Sequence, residues 1–188
     1  MAWQHKFADL LDDDVALSYL SITGSVLPFN QQWLTEKALE HGADWILFLE
    51  DDMVVRPEAV AFLLSRNQPI VGATYPKRHF PILFISSDRN GNEIVISENS
   101  TGIIEADHLG MGLTLIRRDV FEVWPVGVPT FTGEASDRHF CHQARLLDFP
   151  NYVDLDASRH VEHEGQYRFS WKDARPVEMS DLHYYPMP

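Results

Sequence analysis

The chain of 188 residues is 45% hydrophobic and 23% charged, enough apolar material for one domain with a full core and the profile of an ordinary soluble globule. Its formal net charge of -13 argues against a surface built to grip nucleic-acid phosphates, whereas clustered carboxylates are what a divalent cation requires. The single cysteine, Cys141, excludes an internal disulfide, and no apolar run approaches the ~20 residues of a membrane span.

The N-terminus lacks the apolar stretch of a signal peptide, so a cytoplasmic protein without a membrane span is expected. No repeat or linker interrupts the pattern, which predicts one domain over residues 1–188. Residues 3–11 space Trp3, Phe7, Leu10 and Leu11 like one face of a helix, and residues 15–22 (VALSYLSI) read as a strand. Asn30 is placed to cap a helix running to His41, with Gly42 as its left-handed stop. The run Trp45–Leu49 is continuously apolar, which predicts a strand covered on both faces, as in the middle of a parallel sheet. Pro57 opens another helix whose inner face would be Val60, Ala61, Leu63 and Leu64, and residues 70–74 form a short buried strand.

The second half changes character. Residues 82–86 and 93–97 flank Asp88-Arg89-Asn90-Gly91-Asn92, a hairpin signal. Residues 103–106 and 113–116 are predicted strands separated by Gly110-Met111-Gly112. A helix over 136–147 would bury Phe140, Cys141, Ala144 and Leu147, and 152–155 is the last predicted strand. Residues 166–188 are an aromatic, Pro-interrupted tail (Tyr167, Phe169, Trp171, His183, Tyr184, Tyr185). Strand–helix alternation followed by hairpin-connected strands predicts an α/β sandwich around a mixed sheet with a small hairpin region.

In such sheets ligands bind beyond the carboxyl ends of the strands, where Trp45–Leu49 delivers Glu50, Asp51 and Asp52. Adjacent acids repel one another at a half-buried strand end unless a cation compensates them. Extended-chain alternation sends Glu50 and Asp52 to one side and Asp51 to the other, a spacing suited to a shared hard cation and a diphosphate. The competing reading is a solvated loop before the next helix.

These residues also carry a resemblance. ADWILFLEDDMVVRPEAV resembles the donor-metal segment of GT-A-fold glycosyltransferases of the family-2 type, whose D-x-D motif follows a buried strand. PIVGATYPKR is similar to the strand and turn that follow, IEADHLGMGLTLIRRDVFE to the acceptor-side segment with its acid and Gly-x-Gly, SDRHFCHQA to the Glu-Asp-x-x-Phe-Cys helix start, and HVEHEG to the late His-x-Gly. The match spans residues 30–165, with Ser136 in place of the family's Glu. It departs at the N-terminus, where the family's first strand has no counterpart and Phe29 replaces an Arg before the capping Asn.

The resemblance implies a GT-A-like three-layer sandwich and sugar transfer from a nucleotide-sugar, UDP-linked by preference, to an unknown acceptor, with Mn²⁺ or Mg²⁺ as cofactor. Asp52 and His163 would be metal ligands, with Glu50 touching the metal or the donor, and Asp137 would be the base of an inverting displacement. Asp51, Asp107, Gly110 and Gly112 would lie against substrate, and Lys77 and Arg78 beside the departing diphosphate. His160, three residues before His163, is read as a surface or supporting residue. A nucleotidyltransferase or metal phosphohydrolase would also want clustered carboxylates, and a degenerate sugar-binding relative is the non-enzymatic alternative.

Overall fold

The structure, a computed structural model, describes residues 15–24, 26–79, 81–123, 136–165 and 168–173. In chain order the elements are helix α1 (Leu27–Glu40), strands β1 (Trp45–Leu49) and β2 (Met53–Val55), helix α2 (Pro57–Arg66), and strands β3 (Ile70–Gly72), β4 (Ser87–Asp88), β5 (Ile103–His108) and β6 (Leu113–Arg117). Helices α3 (Arg118–Val123) and α4 (Ser136–Leu146), strand β7 (Asn151–Asp154), helix α5 (Leu155–Ser158) and strands β8 (Val161–Glu164) and β9 (Arg168–Phe169) follow.

Six strands form one mixed sheet in the order β1-β6-β3-β7-β5-β4, in which only β3 and β7 run parallel. Strand periodicity sends alternate residues to opposite faces, and the chain supplies apolar groups to both. On one face Ile46, Ile70, Ile116 and Val153 meet Ala38 and Leu39 of α1, Val120 and Phe121 of α3, and Cys141 and Ala144 of α4. On the other, Val71, Leu113 and Leu115 meet Ala59, Val60 and Leu63 of α2, Ala157 of α5, and Val55 and Val161 of a second sheet, β2-β8-β9. The result is the α/β sandwich expected from the sequence. Among the described residues no helix is long and apolar enough to cross a membrane.

Several local expectations are corrected. Residues 15–22 form no strand; Val15, Leu17, Tyr19 and Ile22 are exposed, because β propensity without a ladder partner does not make a strand. Helix α1 starts three residues before Asn30, with Pro28 in its first turn, while the Asn30 amide donates to the Gly24 carbonyl. Strand β1 does have both faces covered, yet it is an edge strand of the large sheet and runs antiparallel to β6. Continuous apolarity reports covered faces, not neighbouring strands. The Asn-Gly turn forms, with Gly91 at φ +80 and the Asp88 carboxylate accepting the N–H groups of Asn90 and Asn92, but only β4 beside it is a strand, and that pairs with β5. Leu147 is exposed rather than buried. The tail's Phe169 is buried in β9, and its Trp171 packs against the first core. The helix over 3–11 and the tail aromatics Tyr167, His183, Tyr184 and Tyr185 lie outside the described residues.

The layer carrying α2 is tied to the sheet by a charged cluster. Asp154 is fully buried at the end of β7, where its Oδ1 accepts the N–H groups of Asp156 and Ala157 and so caps α5. Arg66, at the end of α2, donates to Asp154 Oδ2 at 2.7 Å and to Asp156 Oδ2 at 2.6 Å, and Arg159 holds the second oxygen of Asp156. Removing Asp154 takes away the cap of α5 and one of the two carboxylates that hold the partly exposed Arg66. Asp154→Ala is therefore expected to destabilise the fold by about 2 kcal/mol, read from urea denaturation.

Candidate functional site

Strand β1 ends where the chain turns sharply. The Met53 N–H donates to the Glu50 carbonyl, so residues 50–52 form a turn between β1 and β2 rather than the extended run expected from the sequence. The sorting of side chains is nevertheless the expected one: Asp51 is exposed, while Glu50 and Asp52 are half-buried. Burial, the charge of Asp52 and then that of Asp137 push the Glu50 carboxyl up to about 7; Arg78 works against the rise, and Asp51 adds to it.

The antiparallel register Met53↔His163 of β2 and β8 places His163 beside Asp52. The Glu164 N–H donates to the Asp52 carbonyl and fixes that register at the turn. The His163 Nδ1–H donates to the Pro76 carbonyl at 2.9 Å, leaving Nε2 to face Asp52 Oδ2 at 3.3 Å. Arg78 reaches the same oxygen at 2.9 Å from the opposite strand connection. Gly165 gives the stem of Arg78 room to lie there, since a Cβ at that position would stand 3.3 Å from its Cδ.

Tyr75 organises this end of the sheet, a role not read from the sequence. It is buried, its ring meets His163 edge-on at 5.1 Å, and its hydroxyl accepts the Gly112 N–H at 2.9 Å. A Cβ on Gly110 would collide with that hydroxyl, and one on Gly112 would come within 2.5 Å of it. The Gly-x-Gly turn is thus the seat of Tyr75, and the group approaching the backbone closely is this side chain. Burial raises the Tyr75 phenol, with the charges of Glu50, Asp137 and Asp52 adding to the effect, so the hydroxyl stays protonated.

The third wall is the first turn of α4. Asp137 Oδ1 accepts the Arg138 N–H at 2.7 Å, and Oδ2 lies 3.2 Å from Nε2 of His108, a close charge contact rather than an aligned hydrogen bond. Burial alone would raise the Asp137 carboxyl; the proximity and charge of His108 and the Arg138 N–H outweigh it and hold the group below its ordinary range. Three consecutive residues of β5 and its exit grip this helix. The Asp107 carboxylate and carbonyl take Arg145, His108 meets Asp137, and the Leu109 N–H donates to Cys141 Sγ at 3.3 Å.

The structure therefore groups Glu50, Asp52, Arg78, His163 and Asp137 at one end of the sheet, with Gly110 and Gly112 beneath Tyr75. Asp107 is engaged by Arg145, Lys77 has no ion pair among the described residues, and His160 stacks on Phe62. Tyr75 and His108 were missed, although a histidine two residues from Ala106 on the buried side of a strand was a readable signal.

The donor set fits a divalent cation in part. Nε2 of His163 presents its lone pair toward an Asp52 carboxylate whose Oδ1 is buried without a hydrogen-bond partner, and Glu50 stands in uncompensated negative charge. Among the described residues no three or more His, Cys, Asp or Glu side chains come together as a complete shell. The set suits an ion that takes its remaining oxygens from substrate and water.

No family model matches this sequence, and no curated protein matches it either. Among solved structures, that of A197 from STIV is similar, with a TM-score of 0.54 over 85% of this chain and 76% of that one at 18% identity. At that identity the likeness is one of fold.

The raised Glu50 carboxyl gives a signed expectation. Between its ordinary 4.5 and about 7 the folded protein keeps a proton that the unfolded chain has released, so stability falls as pH rises through that interval. Glu50→Gln should melt above the parent at pH 8 and with it at pH 4, where both states are protonated. Equal melting temperatures at pH 8 would refute the crowding of charge described here.

Proposed function

We propose that the chain is a metal-dependent glycosyltransferase taking a nucleotide-sugar, UDP-linked by preference, with Mn²⁺ or Mg²⁺, and transferring the sugar with inversion to an acceptor hydroxyl. The observation that carries the reading is the meeting of Asp52 and His163 at 3.3 Å, with Glu50 and Asp137 contributing negative charge from β1 and α4. Support comes also from the order of the motifs in the sequence. The single cysteine suits the cytoplasm as its compartment.

Asp52 and His163 would hold the cation, with Glu50 beside them. When bound, it supplies positive charge that stabilises a departing diphosphate. Arg78, already reaching over Asp52, would add its guanidinium to the same phosphate oxygens. Asp137, held anionic at a helix N-terminus, would take the acceptor hydroxyl proton as the new bond to the anomeric carbon forms. The bond from that carbon to the phosphate oxygen breaks, and the diphosphate leaves with the electron pair.

A second reading is favoured by one contact. The Arg78 guanidinium at 2.9 Å from Asp52 places a positive charge on this carboxylate without any metal, as a sugar-binding relative without catalysis would need. Donor hydrolysis in the absence of acceptor separates the two, since only the enzyme shows it.

Calorimetry with UDP-sugars should show binding only with Mn²⁺ or Mg²⁺, and Asp52→Ala should abolish it; undiminished affinity in excess EDTA would sink the metal reading. His163→Ala should weaken that binding far more than His160→Ala, because His160 stacks on Phe62 and faces no acid of the cluster. Asp137→Asn should keep donor binding and melting temperature while transfer falls on the order of 10²–10⁴-fold. Transfer at the parental rate would show that Asp137 only caps its helix.

A further inference from the structure

His108 is 5% exposed, inside the fold at the end of β5, where a histidine needs partners for both ring nitrogens. Its Nδ1 lies 2.9 Å from the Ile85 carbonyl, an acceptor only, so Nδ1 carries a hydrogen and donates it. Nε2 is then the one nitrogen left to meet Asp137 Oδ2 at 3.2 Å, and no other polar atom of the described residues reaches it. The ring cannot swing away. Leu109, the next residue, is fully buried and bonded to Cys141, and the preceding Asp107 is clamped by Arg145. Asp137 is fixed from its other side by the Arg138 N–H. Each carboxylate oxygen thus has one nitrogen neighbour, and a second ring proton, on Nε2, is what sets a cation against the anion.

We propose that His108 is the positioning residue of Asp137, holding the carboxylate in one orientation and in its anionic form so that proton abstraction is carried out by a histidine–carboxylate pair. This rests on the reading of Asp137 as the base. The other charged or titratable groups around the pair are Glu50 at the end of β1 and Tyr75 after β3, both of which feel the charge of Asp137, together with Cys141, Arg145 and Asp107. Asp107 and Arg145 neutralise one another, and the Tyr75 and Cys141 groups stay protonated, so Glu50 is the neighbour that competes with His108 for influence on Asp137.

Two substitutions divide the histidine's bonds. His108→Asn keeps a donor where Nδ1 meets Ile85 and removes the group facing Asp137; His108→Gln keeps a donor toward Asp137 and gives up the Ile85 bond. Carbon-13 NMR titration of the side-chain carboxyls, with Asp137 assigned through Asp137→Asn, reads the pair without any donor or acceptor. In His108→Asn the Asp137 midpoint should rise by about one unit or more, the usual effect of losing an opposite charge at this range. In His108→Gln it should rise less, because a neutral donor remains. The acid limb of the transfer–pH profile should move with the midpoint, and His108→Gln should recover part of the rate that His108→Asn loses. A midpoint indistinguishable from the parent in folded His108→Asn, or an equal rise in both variants, overturns the proposal. Because this titration needs no turnover, its failure is distinct from a failure of the glycosyltransferase reading, which Asp137→Asn tests by transfer rate.

Discussion

Negative charge converges at the carboxyl end of β1, and the arrangement around it is best understood as a response to that repulsion. Carboxylates brought together away from full solvation destabilise one another, and each one left without a cation must share a proton or shift its titration. Here nearly every acid is answered from a different element. Asp52 is met by Arg78, Asp137 by His108 of β5, and Asp107 by Arg145 of α4. Glu50 has no ion pair among the described residues, and its raised carboxyl is the residue of the conflict. Burial and neighbouring negative charge thus leave Glu50 partly protonated near neutral pH.

The scaffold makes this convergence possible through a few short elements. Three residues of β2, paired with β8, turn the acids of the 50–52 turn toward a histidine more than a hundred positions away. Tyr75 then wedges between the Gly-x-Gly turn and His163, so a rigid aromatic group, rather than a flexible loop, sets the spacing between that turn and the acids. Rigidity of this kind is what a site needs if its groups are to be held in one geometry before a ligand arrives.

The large elements were legible in the sequence because their apolar spacing is long enough to carry a period. Pro57 opens α2 as read, the strand at Trp45–Leu49 follows from its unbroken apolar run, and Leu113–Arg117 from a short stretch rich in Leu, Thr and Ile behind Gly112. The small sheet was not legible: β2 has three residues and β8 alternates Val, Glu, His and Glu, too little pattern to separate from loop. Its loss mattered most for the site, since β2–β8 pairing is what joins Asp52 to His163. Acids behind an apolar strand announced themselves by composition. His108 and Tyr75 did not, because a buried histidine or tyrosine within an apolar segment looks like core until its polar atoms are seen to face something. Residues 15–22 mark the opposite error, where a strand-like composition has no strand partner among the described residues.

The grip of β5 on α4 has a chemical corollary for the chain's only thiol. Cys141 is fully buried, accepts the Leu109 N–H, and is pushed up to about 12 by burial, so almost none of it is thiolate at neutral pH. Thiolate is the form that oxidants and alkylating agents attack. In the native fold the sulfur is both protonated and out of reach, and it becomes reactive only when α4 lifts from the end of β5. The rate at which a small thiol reagent modifies the protein therefore reports how often this helix opens, locally or with the whole fold, with no label built into the chain.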